Sequence, residues 1–355
     1  MKITFVMDKY LCIRNDVYTY PFGSSVYLND LVSGLHKYGI GTSILQMVGS
    51  QEPPHIIKFN GGNIISIPCA SFKDFIRIWP GYVPKDSTFV HLNNLDCLPK
   101  EQLPYKLTGT VHTNNFLFKR EASQLFVDKI LPRMEKVVVV NDVYIKTFKG
   151  ITAKLLKINN FIDTDFFKFS KKPPRSWPYW NLLFPSRQIR SKGVFFALDI
   201  ASELHLKYGW EGTLSLAGEI NAAVLEYATT RKVPSMFLGY KDHYLDMPKL
   251  YTEFDLSLFP SLSEACSLGM IESLSTGCPT VATDTPSIDE MIQNKVNGLL
   301  LPLNVHLWCK EIYNLSTQPE LYLSLKESGR ATAANRYNLK KSVNEYVNMW
   351  QTITN

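Results

Sequence analysis

Short runs of β-branched and aromatic residues alternate along this chain with longer stretches whose apolar positions recur every three or four residues. In the first half, Ile3–Met7, Thr42–Val48, Ile64–Pro68, Thr88–Leu92, Leu107–His112 and Val137–Asn141 read as strands. Ser25–Tyr38 and Glu121–Met134 carry helical spacing between them. The alternation restarts further on, with strand-like runs at Asn181–Pro185, Gly212–Ala217, Met236–Leu238, Leu256–Phe259, Thr280–Thr283 and Leu299–Leu301. Strand followed by helix, repeated, predicts parallel sheets built from right-handed βαβ units.

The rhythm breaks once, at Lys168–Trp180, where three prolines and four basic residues fall together. That composition suits a linker, and it divides the chain into two α/β halves of similar length. A length of 355 residues also exceeds what one hydrophobic core usually serves. The expected domains are 1–170 and 171–335, with residues 336–355 as a terminal helix. Leu339, Val343, Tyr346, Val347, Trp350 and Ile353 line one face of that helix. So broad an apolar stripe needs a partner surface, and the first domain is the one expected.

Charge changes the picture only in its distribution. Residues 1–170 carry 20 basic and 14 acidic side chains, whereas the rest is balanced, so the whole net charge of +6 belongs to the first half. That surplus suits an anionic acceptor or a phospholipid surface, and equally a solvated face. Nucleic acid is a weaker expectation. The six cysteines form no Cys-x-x-Cys pair, and no apolar run approaches the ~18–20 residues of a membrane span. Together with an N-terminus lacking a signal-peptide core, this suggests a cytoplasmic protein, with contact at the inner face of a membrane left open.

The chemistry concentrates in Asp255–Pro279. A strand ends at Pro260, a polar loop follows, and a helix begins near Ser267 with Leu268, Ile271 and Leu274 facing inward. The first turn of such a helix offers unpaired N–H groups and a positive dipole end to phosphate or sugar oxygens. Glu264 lies in the loop and Glu272 in the helix, and each carboxylate can accept paired hydrogen bonds from vicinal hydroxyls. Two glutamates at this spacing are common and usually solvated, so the pair gains meaning from its surroundings. Those are Pro260-Ser261 before Glu264, Ser273 to Asp284 after Glu272, and Asn297–Pro302 further on. Together they resemble the donor-binding region of retaining GT-B glycosyltransferases, glycosyltransferase family 4 (glycosyl transferases group 1) in particular.

The resemblance implies an α/β GT-B fold: two Rossmann-like domains facing across a cleft, with the C-terminal helix crossing back to the first. It implies transfer of a sugar from a nucleotide diphosphate sugar, a UDP-sugar by expectation, to an acceptor hydroxyl with retention. The acceptor would be a glycan, a lipid-linked sugar or another hydroxyl compound, and neither cofactor nor metal would be required. Leu183-Phe184-Pro185-Ser186-Arg187 and Ser191-Lys192-Gly193 are similar to the family's diphosphate-binding segments, which makes Arg187 and Lys192 the cations that neutralise the leaving group. Ser186 takes the place of a glycine there. His112, in Thr110-Val111-His112-Thr113, resembles the family's histidine near the reacting centre.

Gly23 and Ser24 stand where the family has a glycine pair, in the connection that starts at Tyr20-Pro21-Phe22. Glu264 would hold the sugar, with the backbone of Cys266, Ser267 and Leu268, and Glu272 would accept ribose hydroxyls. Gly218 and Gly239 would sit near the nucleotide. Asp163-Thr164-Asp165 imitates a metal motif of the other large glycosyltransferase fold, but its place beside the expected linker favours a turn. Three other readings stay open at this point: a glycosyltransferase acting on modified nucleic-acid bases, a nucleotide-sugar 2-epimerase, and a non-catalytic nucleotide-sugar-binding protein.

Overall fold

The computed structural model describes residues 1–14, 17–20, 23–59 and 61–354; Pro21 and Phe22 lie outside the described residues. The chain divides into two units, Met1–Phe161 with Leu339–Asn355, and Ile162–Asn338.

The first unit contains, in order, β1 (Lys2–Val6), a ribbon of β2 (Cys12–Arg14) and β3 (Val17–Thr19), α1 (Gly23–Lys37), β4 (Gly41–Gly49), β5 (His55–Phe59), β6 (Gly62–Cys69), α2 (Phe72–Ile78), β7 (Phe89–Leu92), β8 (Leu107–Val111), α3 (Asn115–Phe118), α4 (Arg120–Leu125), β9 (Lys136–Val139), α5 (Asp142–Thr147) and β10 (Leu155–Lys157). Its sheet runs β10-β9-β8-β7-β1-β4-β6-β5, parallel except where β5 folds back on β6. Counted in order of appearance, the parallel strands from β6 to β9 follow the 3-2-1-4-5-6 order of a doubly wound sheet. The central strands are apolar on both faces because helices cover both, so Ile3, Phe5 and Val6 of β1 are all fully buried.

The second unit contains β11 (Leu182–Phe184), α6 (Val194–Tyr208), β12 (Leu214–Ala217), α7 (Ala222–Thr230), β13 (Ser235–Gly239), α8 (Met247–Glu253), β14 (Leu256–Phe259), α9 (Leu268–Thr276), β15 (Thr280–Thr283), β16 (Leu299–Leu301), α10 (Val305–Ser316) and α11 (Pro319–Arg336). The sheet order β13-β12-β11-β14-β15-β16 is again 3-2-1-4-5-6, parallel throughout. Trp180, Trp210 and Trp308 are buried in its core with the strand leucines.

The final helix, α12 (Leu339–Thr354), belongs to the first unit. Val343, Tyr346, Val347 and Trp350 of its stripe are buried and Leu339 and Ile353 half-buried, with Val343 against Gly34 of α1 and Trp350 edge-on to Phe5 of β1. Beneath it runs a buried polar network. Tyr346 shares hydroxyl hydrogen bonds with Tyr27 (2.5 Å) and Thr110 (2.7 Å), and Trp350 Nε1 donates to Thr108 (3.1 Å).

Two local expectations are corrected. Glu121–Met134 is not one helix: α4 gives way to a π-turn over Phe126–Ile130 and a 3-10 turn over Leu131–Arg133. Pro132 explains the break, since it lacks an N–H and its ring opposes the carbonyl four residues earlier. The Lys168–Trp180 segment, read as a linker, falls within the second unit and is fastened to it. Ser170 N–H donates to the Thr276 carbonyl, and Arg175 pairs with buried Asp255 at 2.8 Å.

Candidate functional site

In a sheet of order 3-2-1-4-5-6 the connections reverse direction between the first and fourth strands, and a crevice opens outside their carboxyl ends. In the second unit those strands are β11 and β14. The residues leaving β11 are Pro185, Ser186 and Arg187; those leaving β14 run from Pro260 to Ser267, the N-cap of α9. The Ser267 side chain accepts from Met270 N–H at 3.4 Å, which fixes the helix start and leaves the first-turn N–H groups of Leu268 and its neighbours at this edge.

The loops are drawn together tightly. Gly193 has φ +74°, and a Cβ there would run into the Pro260 carbonyl, so this approach requires glycine. Leu262 N–H donates to the Ser191 carbonyl at 2.9 Å. That closure delivers Lys192 Nζ to Glu264 Oε1 at 2.6 Å, and Ser261 Oγ donates to the same oxygen at 2.8 Å. Glu264 is only 9% exposed, and the ion pair helps to compensate it for leaving water. Arg187, by contrast, is exposed on the neighbouring turn, its carbonyl accepting from Ile189 N–H at 2.8 Å and its side chain without a hydrogen bond or ion pair among the described residues. Gly218, at the end of β12 with φ +106°, lies against the Ser186 carbonyl. Buried Gln188 ties these loops, its Nε2 donating to Gly218 O and its Oε1 accepting from Asn221 N–H. Gly239, ending β13, accepts from Gly218 N–H at 2.9 Å.

Glu272 is placed differently from Glu264. It is 4% exposed on α9, with Oε2 accepting from Tyr251 OH at 3.0 Å and Oε1 paired with His243 Nδ1 at 3.1 Å. Desolvation, with the Glu272 charge second, holds the Tyr251 hydroxyl far above its usual pKa, so it remains a donor. Asp163 Oδ1 accepts from the N–H groups of Asp165 and Phe166, a capped turn of the kind its sequence suggests.

The remaining expected residues, Gly23, Ser24 and His112, belong to the first unit. Gly23 opens α1, and Ser24 and His112 meet around one side chain that the sequence did not mark, Asn93. Its Nδ2 donates to the Ser24 carbonyl at 3.3 Å, leaving Oδ1 to accept, so His112 Nε2 (3.2 Å away) is the protonated nitrogen. Burial lowers the His112 pKa to about 4, which keeps the ring neutral near pH 7. Tyr27 packs edge-on to it, with ring centroids 4.7 Å apart. The carboxyl ends of β1 and β7 mark the switch point here, and a cavity of about 580 Å³ opens there between Met7, Asp8, Asn93, Asp96, His112 and Phe116.

Asn93, Gln188, Tyr251 and His243 act through hydrogen bonds across long sequence separations, so spacing could not reveal them. Ser261 could have been found, since a serine three residues before a loop glutamate is placed to donate to it.

Residues 180–318 match the family described as Glycosyl transferases group 1. An uncharacterised 41.2 kDa protein from the cps region of Klebsiella pneumoniae is 23% identical over 263 residues, covering 70% of this chain and 71% of its own length. Among solved structures, sucrose-phosphate synthase from Thermosynechococcus elongatus superimposes with a TM-score of 0.79 at 16% identity, covering 99% of each chain. HepE from Anabaena, solved in complex with UDP and glucose, gives 0.75 at 13% identity, covering 99% of this chain and all of its own. The fold is that of the GT-B glycosyltransferases. Fold and matched domain together support a glycosyltransferase of that class.

Proposed function

We propose that this protein transfers a sugar from a nucleotide diphosphate sugar to an acceptor hydroxyl, with retention of configuration. The observation that carries the reading is the convergence at the β11/β14 switch point of Arg187, the Lys192–Glu264 pair and the first turn of α9. A diphosphate leaving group develops charge on its bridging oxygen, and aimed cations with helix N–H groups stabilise that charge without reorganising. At an effective dielectric of ~20, one cation about 4 Å from one anion is worth about 4 kcal/mol. The UDP bound to the structurally similar HepE supports uridine as the donor base.

In this reading Lys192 turns from Glu264 towards the diphosphate while Glu264 receives sugar hydroxyls, helped by the N–H groups of Cys266 to Leu268. Glu272 takes the ribose hydroxyls on the second lone pairs of oxygens already held by Tyr251 and His243. His112, neutral and protonated on Nε2, presents an unprotonated Nδ1 as an acceptor towards the reacting sugar. The C–O bond to the leaving phosphate breaks as the acceptor oxygen bonds to the anomeric carbon on the same face. The departing phosphate oxygen takes the acceptor proton, so no separate base is needed.

A screen of UDP-, GDP- and ADP-sugars for released nucleoside diphosphate tests this, with NMR of the product's anomeric configuration. The expected outcome is UDP release with an α-configured product from an α-configured donor. Inversion would end the retaining mechanism. Failure of every nucleotide sugar to bind or react, across an acceptor panel drawn from bacterial surface glycans, would end the reading itself.

A further inference from the structure

Two cations are assigned above to the donor diphosphate, and the fold holds them differently. The Arg187 side chain is exposed, without a hydrogen bond or ion pair among the described residues. Lys192 is already committed: its Nζ lies 2.6 Å from Glu264 Oε1, with the lysine side chain 21% exposed and the glutamate 9%. Both backbones are fixed at this point. Lys192 N–H donates to the Ile189 carbonyl at 3.1 Å, Gly193 N–H donates to the Arg190 carbonyl at 2.9 Å, and Leu262 N–H closes the facing loop onto the Ser191 carbonyl. Opening the pair therefore falls to side-chain rotation. Glu264 is held the more firmly of the two, because fully buried Ser261 donates to the same carboxylate oxygen at 2.8 Å. Lys192 has a flexible four-carbon stem and is the partner that turns.

An ammonium that turns away leaves a buried carboxylate without its counter-ion, which is costly unless new donors reach that carboxylate. The phosphate end of a free nucleoside diphosphate brings only acceptors, so it draws Lys192 away at the expense of Glu264. A nucleotide sugar brings both halves of the exchange: phosphate oxygens for Lys192 and, next to them, hydroxyl donors for Glu264.

We propose that the Lys192–Glu264 pair is an exchange latch, which withholds one cation from a free nucleoside diphosphate and yields it when sugar hydroxyls take the place of Lys192 on Glu264; this rests on the glycosyltransferase reading. The site thereby prefers the intact donor to the diphosphate product. Arg187, which nothing withholds, serves both ligands alike. After transfer the sugar leaves Glu264, which takes Lys192 back and loosens the remaining diphosphate.

Isothermal titration of the full chain tests this with UDP, GDP and ADP, each beside its own sugars: UDP-glucose, UDP-galactose, UDP-N-acetylglucosamine, GDP-mannose and ADP-glucose. Glu264→Gln frees Lys192 and should bind the free diphosphate about tenfold more tightly, while the matching nucleotide sugar gains nothing or weakens. A carboxylate that merely repelled phosphate would let both ligands gain alike, and that outcome overturns the proposal, as does an unchanged affinity for the diphosphate. Lys192→Met reads the same coupling from the other side, and decides the matter alone if the glutamine variant does not fold. It should weaken the nucleotide sugar about tenfold or more and the free diphosphate less than about threefold, whereas Arg187→Ala should weaken the two by similar factors. Equal losses in Lys192→Met would overturn the latch and leave the donor reading standing, since nucleotides would still bind. If no nucleotide or nucleotide sugar binds either the unaltered protein or Glu264→Gln up to millimolar concentration, the donor reading falls as well.

Discussion

Arg187 and Lys192 are assigned one electrostatic role, yet their surroundings give them different structural weight. Arg187 is exposed and unpaired, so Arg187→Ala should leave unfolding free energy within about 0.5 kcal/mol of the parent. Turnover should fall by ~10²–10³, as for loss of an oxyanion donor. Lys192→Ala should match that loss of turnover and also destabilise the protein by about 1–3 kcal/mol, because buried Glu264 loses its counter-ion. Urea unfolding beside nucleotide-release kinetics separates the two. Equal stability of both variants would mean that the Lys192–Glu264 contact contributes nothing to the fold. At this scale the sequence showed the charged residues, whose spacing around a strand end carries a pattern. It hid what holds them: Gln188 gains its importance only when Gly218 and Asn221 are brought beside it.

Among the elements, α12 shows how far periodicity reaches. Its apolar stripe was plain in the sequence, but the closeness of its seat on α1 was not. Gly34 has no Cβ, and one placed there would lie 2.5 Å from Val343 Cγ2, a stiff β-branched side chain. In most helices Gly→Ala gains ~0.5–1 kcal/mol. Here Gly34→Ala should instead cost about 1–3 kcal/mol by overpacking. Adding Val343→Ala should make the alanine at 34 less costly than it is alone, a coupling that a double-mutant cycle in urea measures directly. Strict additivity would show that the two helices separate easily to admit the methyl group. The broken Glu121–Met134 stretch shows the opposite limit. Apolar spacing there reported which residues are buried, Phe126 and Ile130 among them, but backbone geometry was decided by Pro132. Edge strands β5 and β10 escaped notice because short, half-exposed segments carry little alternation.

For the whole molecule, acid sensitivity should centre on two histidines of the first unit. Burial, with the His112 charge second, lowers His91 to about 3, and burial lowers His112 to about 4. Unfolding returns both to about 6.5, so the unfolded chain binds more protons between these values. Their stabilising contribution is therefore complete above about pH 7 and is lost as pH falls towards about 4. Each proton taken up adds at most about 1.4 kcal/mol per pH unit to the slope. His91 sits between Thr108 and Thr110, with both ring nitrogens at 2.9 Å from a hydroxyl, so His91→Gln should keep part of the polar network while flattening the slope between pH 4 and 6.5. Chemical unfolding at several pH values reads this, and an unchanged slope would place the acid sensitivity elsewhere.

The division into units has a further consequence, in the time order of synthesis. The second unit is one continuous stretch, Ile162–Asn338, whereas the first is completed only by Leu339–Thr354. Emerging from a ribosome, the earlier half of the chain must wait with the Tyr27, Thr108 and Thr110 groups that α12 will cover still exposed, while the later half has every strand it needs. Folding thus finishes in the domain that began first. A chain stalled before residue 339 should hold a protease-resistant second unit beside a first unit that is still easily cut.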